Sequence, residues 1–389
     1  MMAGLLNLFY QRLPVRLAGA DEELHLLNKG EQRRIRSSER LAMVVGAALS
    51  VLGFLAYYLP IYWYPQLFPA VDVKIPWIEK TVSLPWGELF WAILLTAIEL
   101  ELLVFLNVAG VHEIAVATGF ISPKTKAAKC GDLLQIGLEK KPVEELVRYG
   151  IDPFEGLNKW ALFAFNALFR LKGLLGSLVI RYLTRLLLGR YAVRSLLDFS
   201  GMPLYMAINA YAVRAVLREA RVIIIGQTLI VLLIQRLPRW PLAAAEKSLL
   251  YDTLQYIAVS KRDFHQNHYL LTGYLLEHFQ IPSEERHPLP GDYLRKLGGA
   301  PVAIGALCRL LIVLGFILDG RISGRESRKL RQLNSDGILR ESREEVKSLQ
   351  NDFVRGAGVE PLFERYLSRI ETDKTTAELV QYAIKRRVI

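Results

Sequence analysis

From Leu41 to Val71 the chain carries no charged side chain. The first part of this run, LAMVVGAALSVLGFLAYYLP, has the roughly 20 apolar residues that the hydrocarbon core of a bilayer demands of a helix. It reads as a transmembrane helix. Its aromatic end (Tyr57, Tyr58, Tyr62, Trp63, Tyr64) forms an interfacial belt, and its length and distance from the N-terminus distinguish it from the core of a cleaved signal peptide. A second span follows a loop containing proline and tryptophan. Trp86 and Trp91 mark an interface there, and Leu89 to about Ala109 is apolar except for Glu99, Glu101 and Asn107. The two spans are expected to form a helical hairpin.

The flanks orient that hairpin. Lys29, Arg33, Arg34, Arg36 and Arg40 precede the first span and Lys124, Lys126, Lys129, Lys140 and Lys141 follow the second, whereas the loop between them offers Lys74 and Lys80 against Asp72, Glu79 and Glu88. The positive-inside rule then places both termini in the cytoplasm of a multi-pass inner-membrane protein. Composition agrees: 52% of the 389 residues are hydrophobic and the formal net charge is +11, with a mean hydropathy of +0.23. A nucleic-acid binder gains charge without this much apolar surface, so the expected partner is an anionic membrane and not a nucleic acid. Two cysteines, Cys130 and Cys308, are too few for a disulfide scaffold or a four-thiolate zinc site, and both fall on the reducing side.

Nearly all of the excess charge lies in the middle of the chain. From Lys159 to Arg239 there are twelve basic residues against two acidic ones, Asp198 and Glu219, interleaved with runs such as GLLGSLVIRYLTRLLLG and VIIIGQTLIVLLIQ. Repeated crossings would carry arginines through the bilayer centre at a few kcal/mol each, so helices lying in the interface are expected, with apolar faces in the acyl region and arginines on the phosphates. Arg181, Arg185, Arg214, Arg218 and Arg221 are the candidate lipid or partner contacts. The last three recur at i, i+4 and i+7 on one helix, a spacing equally consistent with a solvated edge on which Glu219 pairs locally. The stretch SGMPLYMAINAYAVRAVLREARVIIIG reads as one helix begun by Pro203, with Asn209 bonding across a helix contact. The pattern of Pro203, Asn209-Ala210, Val216 and Ala220-Arg221 resembles the closing helix of EcsC-like bacterial proteins, which implies membrane association without an assigned enzymatic activity.

Pro241 to Gln280 follows an amphipathic helical pattern, broken afterwards by SEERHPLPG. His265 and His268, with Asp263 nearby, can be drawn as a metal pair, but no Glu-x-x-His run completes the set and a wet surface explains HQNH as well. Pro301 to Leu318 is short for a span and reads as a core helix of a cytoplasmic bundle, with a third transmembrane helix as the alternative. It leads into Asp319-Gly320-Arg321-Ile322-Ser323-Gly324-Arg325-Glu326, where Ser323 is the expected N-cap and Glu326 completes a capping box. This turn is similar to the D-G-x-I-x-x-x-E turn of TerB-like tellurite-resistance domains, a resemblance that covers Pro301 to Ile370 and implies a helical bundle. The same eight residues match the second half of an EF-hand loop. The earlier ligand positions are Gly315 and Ile317, which lack oxygen side chains, so Asp319 and Glu326 are weak metal candidates and no cofactor is expected.

Intramembrane polar residues are functional candidates by default, here Glu99, Glu101, Asn107 and His112. Glu99 and Glu101 are about 200° apart around a helix and cannot share one pocket. They serve either an ion or proton path built by an oligomer or, for one of them, a hydrogen bond to a neighbouring helix. No phosphate-binding loop, dinucleotide fingerprint, H-E-x-x-H or G-x-S-x-G motif occurs, nor a strand alternation of useful length. The expectation is an all-α, non-enzymatic protein in four parts: a cytoplasmic N-terminal segment (1–40), a transmembrane hairpin (41–119), a basic membrane-interface helical domain (120–240) and a cytoplasmic TerB-like bundle (241–389). Its expected role is a scaffold or accessory subunit that binds anionic lipid and a protein partner or a second copy. The alternatives are a transport or channel subunit using Glu99 and Glu101, and a metal-responsive module.

Overall fold

A computed structural model describes residues 2–15, 26–69, 71–75, 80–84, 86–137, 149–152, 155, 194–262, 265–284 and 286–387. Arg181, Arg185 and Asp263 lie outside the described residues. The helices are α1 (Met2–Arg12), α2 (Lys29–Trp63), α3 (Trp86–Ala117), α4 (Cys130–Gly137), α5 (Arg194–Arg236), α6 (Ala244–Lys261), α7 (Gln266–His278), α8 (Tyr293–Gly298), α9 (Val302–Ile317), α10 (Gly324–Ser335), α11 (Arg343–Arg355) and α12 (Glu360–Arg387). Between α2 and α3 stands one hairpin of two antiparallel strands, β1 (Val71–Ile75) and β2 (Lys80–Leu84), with Val73 opposite Val82. The alternation V-D-V-K-I is five residues long, too short to stand out in the sequence, and pairing with K-T-V-S-L makes it a strand.

Helix α2 starts at a reciprocal cap, in which Asn28 Oδ1 accepts from Glu31 N–H and Glu31 Oε2 accepts from Asn28 N–H, each at 2.9 Å. It is long and apolar enough to cross a membrane, as is α3, and the two run antiparallel. Trp91 Nε1 donates to Ala56 O at 3.0 Å, and Gly53 lies against Glu99. α3 continues past Ala109, the end expected from the sequence, to Ala117. The extension, with Val111, Ile114 and Ala115 fully covered, leaves the exposed band and enters the core.

α5 departs most from expectation. It starts at Arg194 and runs through Pro203 instead of beginning there. An interior proline costs roughly 3 kcal/mol, and the contacts that fix the course of the helix all lie after it. Tyr205 O accepts from Ser50 Oγ, Val213 packs on Gly46 and Arg221 pairs with Glu39, so α5 runs antiparallel to α2. Asn209 meets Glu99 and Leu217 meets Gly110, so it runs parallel to α3. This helix therefore stands alongside α2 and α3 and does not lie across their ends. The glycine and serine of α2 let the backbones approach closely enough to make that upright packing pay.

The second half of α5 is the rail on which the C-terminal bundle docks. Arg218 Nη2 donates to Gly320 O at 3.1 Å, and Asn267 Nδ2 donates to both Val222 O (3.0 Å) and Leu318 O (2.8 Å). At the centre of the bundle is α9, buried along nearly its whole length and packed by α6, α11 and α12, as a core helix should be. The amphipathic stretch from Pro241 to Gln280 is two helices, because Arg262 adopts a left-handed conformation (φ 50°) and ends α6. Ser323 and Glu326 form the expected capping box of α10.

One histidine fastens the loop before α8. His287 Nδ1 lies 2.7 Å from Glu284 Oε2 and His287 Nε2 lies 2.7 Å from Asp252 Oδ1. Both nitrogens must donate, so the ring is an imidazolium. Burial works against that charge, but the hydrogen bonds and charges of Asp252 and Glu284 outweigh it and raise the pKa above 6.5. A raised folded-state pKa adds stability that is fully present below pH 6.5 and is lost as pH rises through the folded value. Denaturation of wild type and His287→Gln should therefore differ most near pH 6 and converge at alkaline pH. An unchanged difference would count against the charged latch.

Candidate functional site

The exposed large apolar side chains are concentrated on one end of the molecule. Leu41, Val44, Leu52, Leu55 and Leu59 on α2, Phe90, Ile93, Ile98 and Leu102 on α3, and Leu204 and Tyr211 on α5 form a band, and only 22% and 11% of the apolar windows of α2 and α3 are buried. Water-soluble helices of this hydropathy are covered by other protein, whereas here the apolar faces are open.

Inside the band three helices share a polar clamp. Asn209 Nδ2 donates to Glu99 Oε1 at 2.7 Å and approaches Ser50 Oγ at 2.5 Å, while the Ser50 hydroxyl reaches Tyr205 O at 3.3 Å. Glu99 is buried and Glu101, on the opposite side of α3, is exposed, so the two carboxylates are not brought together. His112 lies deeper in the core, with Nε2 3.2 Å from Pro14 O and its ring edge-on to Tyr10. Asn107 is half-buried and faces neither the clamp nor His112 with a hydrogen bond.

At the end of the band where α2 begins the arginines gather. Arg221 forms a 3.0 Å ion pair with Glu39, and Arg36, Arg214 and Arg218 all stand within electrostatic range of its guanidinium. Arg218 is engaged by the Gly320 carbonyl, whereas Arg36 and Arg214 are exposed. The stripe read from the sequence is thus divided: two members hold the protein together and Arg214 faces outward. Glu219 pairs across helices, 3.3 Å from His265 Nε2 and 3.9 Å from an Arg321 nitrogen, instead of locally.

The half EF-hand loop contains a cation of its own. Lys261, at the end of α6 with a side chain only 1% exposed, places Nζ 2.8 Å from Asp319 Oδ2 and 3.2 Å from Glu326 Oε1, and donates to Arg321 O and Phe316 O at 3.1 Å each. With Gly320 at the sharp turn, Asp319, the Arg321 carbonyl and Glu326 hold the fifth, seventh and twelfth positions of a calcium loop. A tethered ammonium sits where those three ligands converge. Sequence reading had no signal for Lys261, because its distance along the chain hides the pairing.

The histidine pair is not a shared site either. His265 caps α7 by accepting from Asn267 N–H and faces Glu219, while His268 Nε2 meets Gly315 O at 2.8 Å. Burial lowers the His268 pKa to about 4, so the ring is neutral and Nε2 carries the proton it donates. Neither histidine lies on a wet surface. Comparison of the chain with models of known protein families, with characterised proteins and with solved structures finds no match.

Proposed function

We propose that this protein is a non-enzymatic membrane scaffold: α2, α3 and the first half of α5 stand in the bilayer, and the arginines at their inner end hold the phosphates of anionic lipids in the cytoplasmic leaflet. The observation that carries this reading is the adjacency of an exposed apolar band to a cluster of four arginines, in which Arg36, Arg214 and Arg218 surround Arg221 and Arg221 pairs with Glu39. Such a boundary matches the step from acyl chain to headgroup, where each basic side chain contributes about 1 kcal/mol of attraction to an anionic surface. The C-terminal bundle, fixed to α5 by Arg218 and Asn267, would then be held at the membrane surface to receive a protein partner.

Reconstitution tests the lipid claim. Spin-labelled phosphatidylglycerol should be immobilised by the protein in preference to spin-labelled phosphatidylcholine, and Arg36→Gln and Arg214→Gln should each reduce that preference roughly fivefold, the equivalent of about 1 kcal/mol. Equal immobilisation of the two lipids by the wild-type chain would defeat the proposal.

A further inference from the structure

The clamp that joins Glu99 to Asn209 dictates what lies outside it. Glu101 is two residues beyond Glu99 and Tyr211 two beyond Asn209, on helices that run parallel. Each step of two residues rises about 3 Å and turns about 200°. Both side chains therefore end at the same depth, turned away from the bundle: Glu101 is exposed, and Tyr211 is exposed to 74%. Resting on the membrane reading above, this depth is within the apolar band, with Ile98 and Leu102 exposed beside Glu101 and Leu204 two turns before Tyr211.

A carboxylate facing lipid is costly, and ionisable groups at this depth normally face a bundle interior or a partner. A phenol turned to lipid likewise leaves its hydroxyl without an acceptor. We propose that the chain self-associates in the plane of the membrane through this surface, the Tyr211 hydroxyl of one copy donating to the Glu101 carboxylate of the next. Copies inserted with the same orientation present every residue at one common depth, so an acceptor and a donor already level with each other can meet without tilting or translation. One turn before each of them is an exposed alanine, Ala97 on α3 and Ala207 on α5, small enough to let the two helices close. A second copy satisfies both exposed groups, whereas acyl chains satisfy neither.

Cysteine crosslinking in native membranes tests this, in a background carrying Cys130→Ser and Cys308→Ala. Carbonate extraction first establishes whether the protein is integral to the membrane; release into the supernatant defeats the membrane reading and this inference with it. For protein that resists extraction, oxidation of differently tagged Glu101→Cys and Tyr211→Cys chains expressed together should give a covalent product containing both tags, and neither variant alone should give one. Resistance to extraction without that product, or self-linking of Glu101→Cys as efficient as the mixed product, would overturn the pairing while leaving the membrane reading intact. The unsubstituted chain, dye-labelled and extracted in native nanodiscs, should bleach in more than one step, and a single step would also overturn it.

Discussion

Replacing Lys261 by methionine should destabilise the protein by about 3–5 kcal/mol, the cost of removing one partner from a buried ion pair. The ammonium is the shared counter-charge of Asp319 and Glu326, and it also satisfies the Phe316 and Arg321 carbonyls. Methionine leaves two carboxylates facing one another with no counter-charge between them, each keeping only a backbone N–H donor, from Arg321 to Asp319 and from Ser323 to Glu326. Neutralising them as well, in Lys261→Met with Asp319→Asn and Glu326→Gln, should recover most of the loss, because a buried ion cluster exchanged as a unit for neutral groups is often close to balanced. Chemical denaturation of the three-residue and single variants separates charge from volume. A single variant as stable as wild type would show that the ammonium is not what holds the turn.

The second large effect is expected at Gly226. It lies one turn past Val222 on α5, and a Cβ added there would overlap Asn267, whose side-chain nitrogen donates to Val222 O and Leu318 O. Asn267 is fully buried and has no room to retreat. Gly226→Ala should therefore cost about 2–4 kcal/mol, combining overpacking with the loss of buried hydrogen bonds and outweighing alanine's better helix propensity. Because Asn267 joins α5, α7 and the end of α9, the transition should also show the bundle separating from α2, α3 and α5 at lower denaturant than in wild type. Gly131→Ala on α4, where an added Cβ meets nothing, is the matched control and should be neutral or slightly stabilising. Equal stability of Gly226→Ala and Gly131→Ala would mean that the Asn267 bridge is dispensable.

Much of the architecture is legible in the residues themselves. The uncharged run after Leu41 marks α2, the apolar stretch interrupted only by Glu99, Glu101 and Asn107 marks α3, and Ser323 with Glu326 marks the start of α10, because hydropathy, helical period and capping chemistry are local properties. The extent of α5 is not local. Pro203 signals a helix start, yet the helix begins at Arg194, and only the contacts of Ser50, Gly46 and Gly110 with residues 205–217 explain why it runs alongside α2 and α3.

The candidate site divides in the same way. Sequence spacing alone places Glu99 and Glu101 on opposite sides of one helix and lines up Arg214, Arg218 and Arg221 on another. Which of these face protein and which face outward was decided by the tertiary structure: Asn209 closes over Glu99, Glu39 and Gly320 engage two arginines, and Lys261 enters the Asp319–Glu326 loop. The physical reason is that a periodic pattern sets directions around one helix axis, while a partner is chosen by the position of another axis tens of residues away, and the chain carries no local mark of that position.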